Sequence, residues 1–143
     1  MAEVSTYLNF DGTAEAAFEF YKSVFGGEYE GNGLTRFGDV PGDGPVPDEI
    51  RNLVINVGLR ILGGHLLMGT DAIEGMGQSY VRGTDVSICL HPDSREEADR
   101  LFEALSAGGE VEMPLADQFW GDYYGTFIDK FGKNWMINHT PAS

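Results

Sequence analysis

Cysteine is nearly absent, with only Cys89 in 143 residues. No disulfide can form within the chain, so a small disulfide-stapled secreted module is excluded. Positive charge is scarce as well: nine Lys and Arg stand against 23 Asp and Glu, a net charge of −14. Phosphate backbones are gripped by clusters of basic side chains, and no such cluster occurs, which argues against a general nucleic-acid surface. No apolar run is long enough to span a bilayer, and the N-terminus lacks the basic stretch and apolar run of a secretory signal. These absences predict a cytoplasmic protein whose partners include neither nucleic acid nor membrane. What remains is enough chain for one domain, residues 1–143, able to bury roughly 70% of its extended surface without a structural metal.

Periodicity supplies the architecture. Ala14, Ala17, Phe18, Tyr21, Val24 and Phe25 recur at intervals of three and four, predicting a helix over 13–25. Asp11 or Thr13 is placed to cap it, and Gly26-Gly27 to stop it. A second helix is predicted over 95–107, with Ala98, Leu101, Phe102 and Leu105 as its stripe, Ser94 and Glu97 at capping-box spacing, and Gly108-Gly109 behind it. Gly26-Gly27-Glu28 thus returns in the second half as Gly108-Gly109-Glu110. Strands are expected over 4–10, 28–37, 51–59 and 65–70 in the first half, and over 85–90, 111–119, 123–129 and 134–140 in the second. Each half becomes a β-α-β-β-β module, about 1–71 and 84–143, with a linker at 72–83. The fold class is α+β, with two curved sheets enclosing a cleft.

Three connections interrupt this order. Residues 38–49 hold three prolines, three glycines and four acidic side chains, the composition of a mobile surface loop. Residues 71–83 have no sustained period and are read as either a plain connection or a lid. Residues 130–133 make a tight turn in which Gly132 requires positive φ.

The chemistry-bearing residues are few. His65, His91 and His139 have no metal-binding spacing, and HExxH, paired CxxC and EF-hand patterns are all missing. His65 follows Gly63-Gly64 at a strand start, as a turn residue or a ligand contact. Ser87, Cys89 and His91 share one face of a strand by alternation, which makes Cys89 either inert packing or a nucleophile and soft metal ligand. No glycine-rich loop leads from a strand into a helix, so a nucleotide cofactor is not expected, and no cofactor is assigned. Phe119, Trp120, Tyr123, Tyr124, Phe127, Phe131 and Trp135 crowd one short stretch, interleaved with Gln118, Asp122 and Asn134. Some must be core, and the others line a small-molecule pocket. Asn134, Met136 and Asn138 share a strand face. The expected ligand-binding set is His65, Ser87, Cys89, Trp120, Tyr124 and Asn138; no catalytic residue and no metal ligand is identified.

The segments Leu8-Asn9-Phe10, Leu67-Met68-Gly69-Thr70-Asp71, Phe119-Trp120-Gly121-Asp122 and Asp129-Lys130-Phe131-Gly132-Lys133-Asn134-Trp135, together with both glycine pairs, closely resemble the PhnB-like family. That family belongs to the vicinal oxygen chelate superfamily, with glyoxalase I, bleomycin-resistance proteins and extradiol dioxygenases. The resemblance implies paired β-α-β-β-β modules and a homodimer. It also implies a metal held by His, Gln or Glu at four strand positions, which fall near Thr6, Met68 and Ser87 and at Met136. None of these four is a good ligand for a hard divalent metal. Family members have carried a demethylubiquinone methyltransferase label, but the glycine-rich loop of the common methyl-donor-binding fold is missing here. The expected function is therefore a PhnB-like protein binding a small organic molecule, neutral or cationic given the acidic excess, without the usual metal. The alternatives are a metal-dependent lyase or dioxygenase with atypical ligands, and a non-enzymatic dimeric scaffold.

Overall fold

A computed structural model describes residues 2–31, 33–40, 46–73 and 79–142, in two units, 1–81 and 82–143. The N-terminal unit runs β1 (Thr6–Phe10), α1 (Ala14–Phe25), β2 (Thr35–Arg36), β3 (Val54–Arg60) and β4 (Leu66–Asp71). The C-terminal unit repeats the order with β5 (Ile88–Leu90), α2 (Arg95–Ser106), β6 (Glu110–Asp117), β7 (Tyr123–Ile128) and β8 (Asn134–His139). Each unit holds one four-stranded sheet, ordered β1-β4-β3-β2 and β5-β8-β7-β6. In both sheets the first and last strands of the unit pair in parallel, and the remaining pairings are antiparallel. The expected two-module α+β fold is present.

In the N-terminal unit α1 packs on β3 and β4. Phe10, Ala17, Phe18, Tyr21, Val57, Leu59 and Leu67 are buried, with Phe18 edge-on to both Phe10 and Tyr21. Gly69 lies under α1, where an added Cβ would sit 2.5 Å from the Phe18 ring, so only glycine lets the helix approach this closely. The cap of α1 differs from expectation. Neither Asp11 nor Thr13 supplies it: Thr13 is the N-cap residue but makes no side-chain bond. The buried Asp71 carboxylate at the end of β4 does so instead, accepting from the Ala14 N–H at 2.9 Å and the Val54 N–H at 2.8 Å.

The expected strand over 28–37 shrinks to Thr35–Arg36 and an isolated bridge between Tyr29 and Leu59. Gly31 and Gly33 adopt left-handed backbone (φ 61° and 87°), which breaks a continuous ladder. Of the loop expected over 38–49, Gly38 and Asp39 belong to a 3-10 turn that begins at Phe37, and 41–45 lie outside the described residues. Of 71–83, read as a plain connection or a lid, 74–78 also lie outside the described residues, and Asp71 is the last residue of β4.

In the C-terminal unit α2 covers β6, β7 and β8. Its Ser94 hydroxyl accepts from the Glu97 N–H at 3.1 Å, as the capping spacing predicts. Leu101, Leu105, Phe127, Trp135 and Ile137 form the core, and Phe102 meets Phe127 edge-on at 5.0 Å. Asp129 organises the turn into β8. One carboxylate oxygen accepts from the N–H groups of Phe131 (2.8 Å) and Lys133 (3.0 Å), and the other from the Trp135 indole N–H (2.8 Å). Asp129, Gly132 (φ 86°) and Trp135 thus act as one turn unit.

Candidate functional site

Side chains of residues paired across neighbouring strands project to the same face of a sheet. In the C-terminal sheet Gly125 pairs with Ile137 and faces α2, since a Cβ there would meet the Phe102 ring at 2.8 Å. Tyr123, on the same face, donates its hydroxyl to Asp99 of α2. Alternation therefore sends Tyr124, Thr126, Asn134, Met136 and Asn138 to the opposite face. Cys89 joins them, because it pairs with Met136, as Leu90 pairs with the core residue Ile137. Two rows cross this face: Cys89, Met136, Thr126 and Met113, then Asn138, Tyr124 and Ala116.

The turn between β6 and β7 borders the second row. Gly121 takes φ 101°, the Gln118 N–H donates to the Asp122 carbonyl at 2.8 Å, and the Gly121 N–H donates to the Gln118 carbonyl at 3.0 Å. This tight turn brings the Trp120 ring to 5.9 Å from Tyr124, while Phe119 stands edge-on to Trp120 at 5.0 Å. Phe119 is 98% exposed and Trp120 49% exposed, so their rings are available to another molecule. Behind them the Asn138 amide donates to Asp122 at 3.1 Å, and the Tyr124 hydroxyl reaches the Met136 sulfur at 3.6 Å. Bonding from Asn138, with Thr140 and Trp120 adding to it, holds the Asp122 carboxyl below its usual range.

Four of the six expected ligand contacts, Cys89, Trp120, Tyr124 and Asn138, thus lie on or beside one face of the C-terminal sheet. Ser87 is exposed just before β5 begins, outside the ladder. His65 belongs to the N-terminal unit, where its Nε2 lies 2.8 Å from the Thr6 hydroxyl at the start of β4. Asp122, named in the sequence among the polar neighbours of the aromatics but left out of the expected ligand-binding set, joins the group. The signal was present: it follows Trp120 by two positions across a glycine.

Cys89 is exposed, yet desolvation by its neighbours raises its thiol above the usual cysteine range. A group so placed stays protonated at neutral pH and is a poor nucleophile. Ellman's reagent is accordingly expected to label Cys89 more slowly at pH 7 than an unstructured cysteine peptide. The rate should climb with pH to a midpoint above the peptide's; a midpoint below it would contradict the assignment.

The metal positions implied by the superfamily shift slightly. In the N-terminal sheet Met68 pairs with Tyr7, whereas Thr6 pairs with Leu67 on the α1 face. In the C-terminal sheet Met136 pairs with Cys89 rather than Ser87. The offset that carries Gly26 onto Gly108 also carries Tyr7 onto Cys89. One unit therefore offers a phenol and a thioether, the other a thiol and a thioether. These donors do not fit magnesium, manganese or ferrous iron, which select carboxylate, imidazole and water. Among the described residues, no three His, Cys, Asp or Glu gather closely enough to hold a metal ion. No described helix is long and apolar enough to cross a membrane.

Comparison with known proteins places this geometry in a family. The family model described as 3-demethylubiquinone-9 3-methyltransferase matches residues 2–138. Protein YjdN of Escherichia coli K12 is 30% identical, with 94% of this chain and 93% of that protein covered. The crystal structure of PA1353 from Pseudomonas aeruginosa is 35% identical and superposes with a TM-score of 0.83 over 98% of both chains. A Bacillus cereus PhnB protein, described as a putative 3-demethylubiquinone-9 3-methyltransferase, is 27% identical with a TM-score of 0.72, covering 97% of this chain and all of that one. Glyoxalase-related structures at 18% and 21% identity share the fold. From these matches the chain belongs to the PhnB-like family, whose model is described as 3-demethylubiquinone-9 3-methyltransferase, and its paired β-α-β-β-β units have the fold of the vicinal oxygen chelate, or glyoxalase and bleomycin-resistance, proteins.

Proposed function

We propose that this protein binds a small organic molecule on the face of the C-terminal sheet turned away from α2, without a divalent metal, as a cytoplasmic homodimer. The carrying observation is the grouping there of Trp120, Tyr124, Asn138, Cys89 and Met136, a mixed aromatic, amide and sulfur surface. Flat apolar rings with a few fixed hydrogen-bonding groups are the usual composition of a small-molecule site. The sulfur and phenol donors at the superfamily's metal positions support a role that does not use a hard cation. A methyl-transfer role draws no support from the chain's own residues, which include no glycine-rich strand-to-helix loop.

The test exploits the presence of only two tryptophans. Trp120 is half exposed at the proposed site, whereas Trp135 is buried and tied to Asp129. In a proton–nitrogen correlation spectrum, a set of soluble aromatic fragments is expected to include members that move the Trp120 indole resonance and leave that of Trp135 in place. A set that moves neither, or both together, would refute the site. Native mass spectrometry of the same sample is expected to show a dimer free of metal after incubation with manganese, iron or zinc ions. One tightly held ion per chain would reinstate the lyase or dioxygenase reading.

A further inference from the structure

The proposed binding face carries, at its aromatic end, a carboxylate that, among the described residues, no lysine or arginine pairs with. Asp122 accepts from the neutral amide of Asn138, and Asn138, Thr140 and Trp120 all help keep it ionised, with a smaller electrostatic contribution from His139. Neutral donors orient a carboxylate without cancelling its charge. Most arginines lie in ion pairs elsewhere: Arg36 with Glu15, Arg51 with Asp48, Arg60 with Glu3 and Glu30, Arg95 with Asp117, and Arg100 with Glu97. Among the described residues Asp122 has no ion-pair partner. Beside it stand three aromatic rings in edge-to-face contact, Phe119, Trp120 and Tyr124, the first fully open and the second half open.

Aromatic faces carry negative quadrupoles that attract cations, and the attraction grows when a carboxylate lies alongside. A net charge of −14 adds a long-range field that concentrates cations and repels anions. Resting on the small-molecule reading above, we propose that Trp120, Tyr124 and Asp122 select a ligand bearing an alkylated ammonium group. The ammonium seats against the Trp120 and Tyr124 rings with Asp122 as its counter-ion, and the rest of the molecule extends toward Asn138 and Met136. Phe119 closes the outer side. Alkylation suits the rings, because it spreads the charge over methyl groups that pack on aromatic faces and lowers the cost of leaving water. Phosphorylated or carboxylated ligands lacking such a cation are disfavoured.

The probe pair is choline and its neutral carbon isostere 3,3-dimethylbutan-1-ol, titrated into the full chain with the Trp120 indole resonance as readout and Trp135 as internal control. Choline is expected to bind about fivefold more tightly, the discrimination of a partly exposed cation–aromatic contact. The preference should shrink at high salt and vanish in Asp122→Asn, which keeps an acceptor for Asn138. An unmoved Trp135 resonance in that variant shows the fold intact. If the substitution disturbs Trp135, the salt titration of the unsubstituted protein decides. Equal binding of the two probes overturns the charge preference and leaves the small-molecule reading standing. Failure of both probes overturns the ammonium proposal, and the broader reading then rests on the aromatic fragment set.

Discussion

Asp129→Ala is expected to lower the stability of the C-terminal unit by about 3–5 kcal/mol, because it leaves three N–H donors, one of them the buried Trp135 indole, without their acceptor. Asp129 is only 2% exposed, and its carboxylate is shared among the Phe131 and Lys133 amides and the Trp135 indole. Alanine would take this acceptor from all three donors. The loss reaches the core directly, because Trp135 lies parallel to Phe127 with centroids 6.5 Å apart. Asp129→Asn should fall between, since its carbonyl still serves the two amides while its NH2 faces the indole N–H, donor against donor. Urea denaturation followed by tryptophan fluorescence checks the order, and near-ultraviolet circular dichroism should show the Trp135 band weakened. A loss under about 1 kcal/mol for alanine would mean that the turn holds itself without the carboxylate.

Asp71→Ala is expected to cost about 2–4 kcal/mol in the N-terminal unit, combining a lost helix cap with a strand amide deprived of its acceptor. The carboxylate is 1% exposed and joins two elements at once, the first turn of α1 through Ala14 and the start of β3 through Val54. Hydrogen exchange separates this from general loosening: the Ala14 and Val54 amides should exchange much faster, while those in the middle of α1 change only with global stability. Uniform acceleration across the unit would argue that Asp71 acts by packing alone. The two substitutions load different units, 1–81 and 82–143, so their costs should add when combined.

Much of this fold was legible because its signals are local. Both helices follow from three- and four-residue spacing, the positive φ of Gly132 from its place in a tight turn, and the Ser94 cap from residues three apart. The α1 cap was illegible for the opposite reason: Asp71 lies 57 residues from the amide it serves. Ser and Thr beside a helix start are favoured caps only on average, and here a buried carboxylate from another strand takes the position. The expected strand over 28–37 fails because Gly31 and Gly33 lie inside it, and their left-handed backbone ends the ladder. At the candidate site, two-residue alternation was enough to put Met136 and Asn138 on one face. Family likeness reached only the neighbourhood of Thr6 and Ser87; the pairing selects Tyr7 and Cys89, which the offset between the glycine pairs also matches. Asp122 was legible as a residue but not as a recognition group, since its charge matters only once the turn holds it beside Trp120.

The internal repeat is not uniform along the chain. Tyr7 and Cys89, on the first strand of each unit, keep the offset of the two glycine pairs that follow the helices. Met68 and Met136, on the last strands, are separated by a shorter one. Val57 and Gly125, one strand earlier, already share that shorter offset, so the first unit carries its extra chain between α1 and β3. The two units thus keep one arrangement while differing in the length of this single stretch. The corresponding stretch of the second unit is shorter and contains β6 and the Trp120 turn. Between α1 and β3 the first unit accommodates the added length, whereas an insertion in the turn between β6 and β7 would pull apart the rings and carboxylate that this short connection holds together.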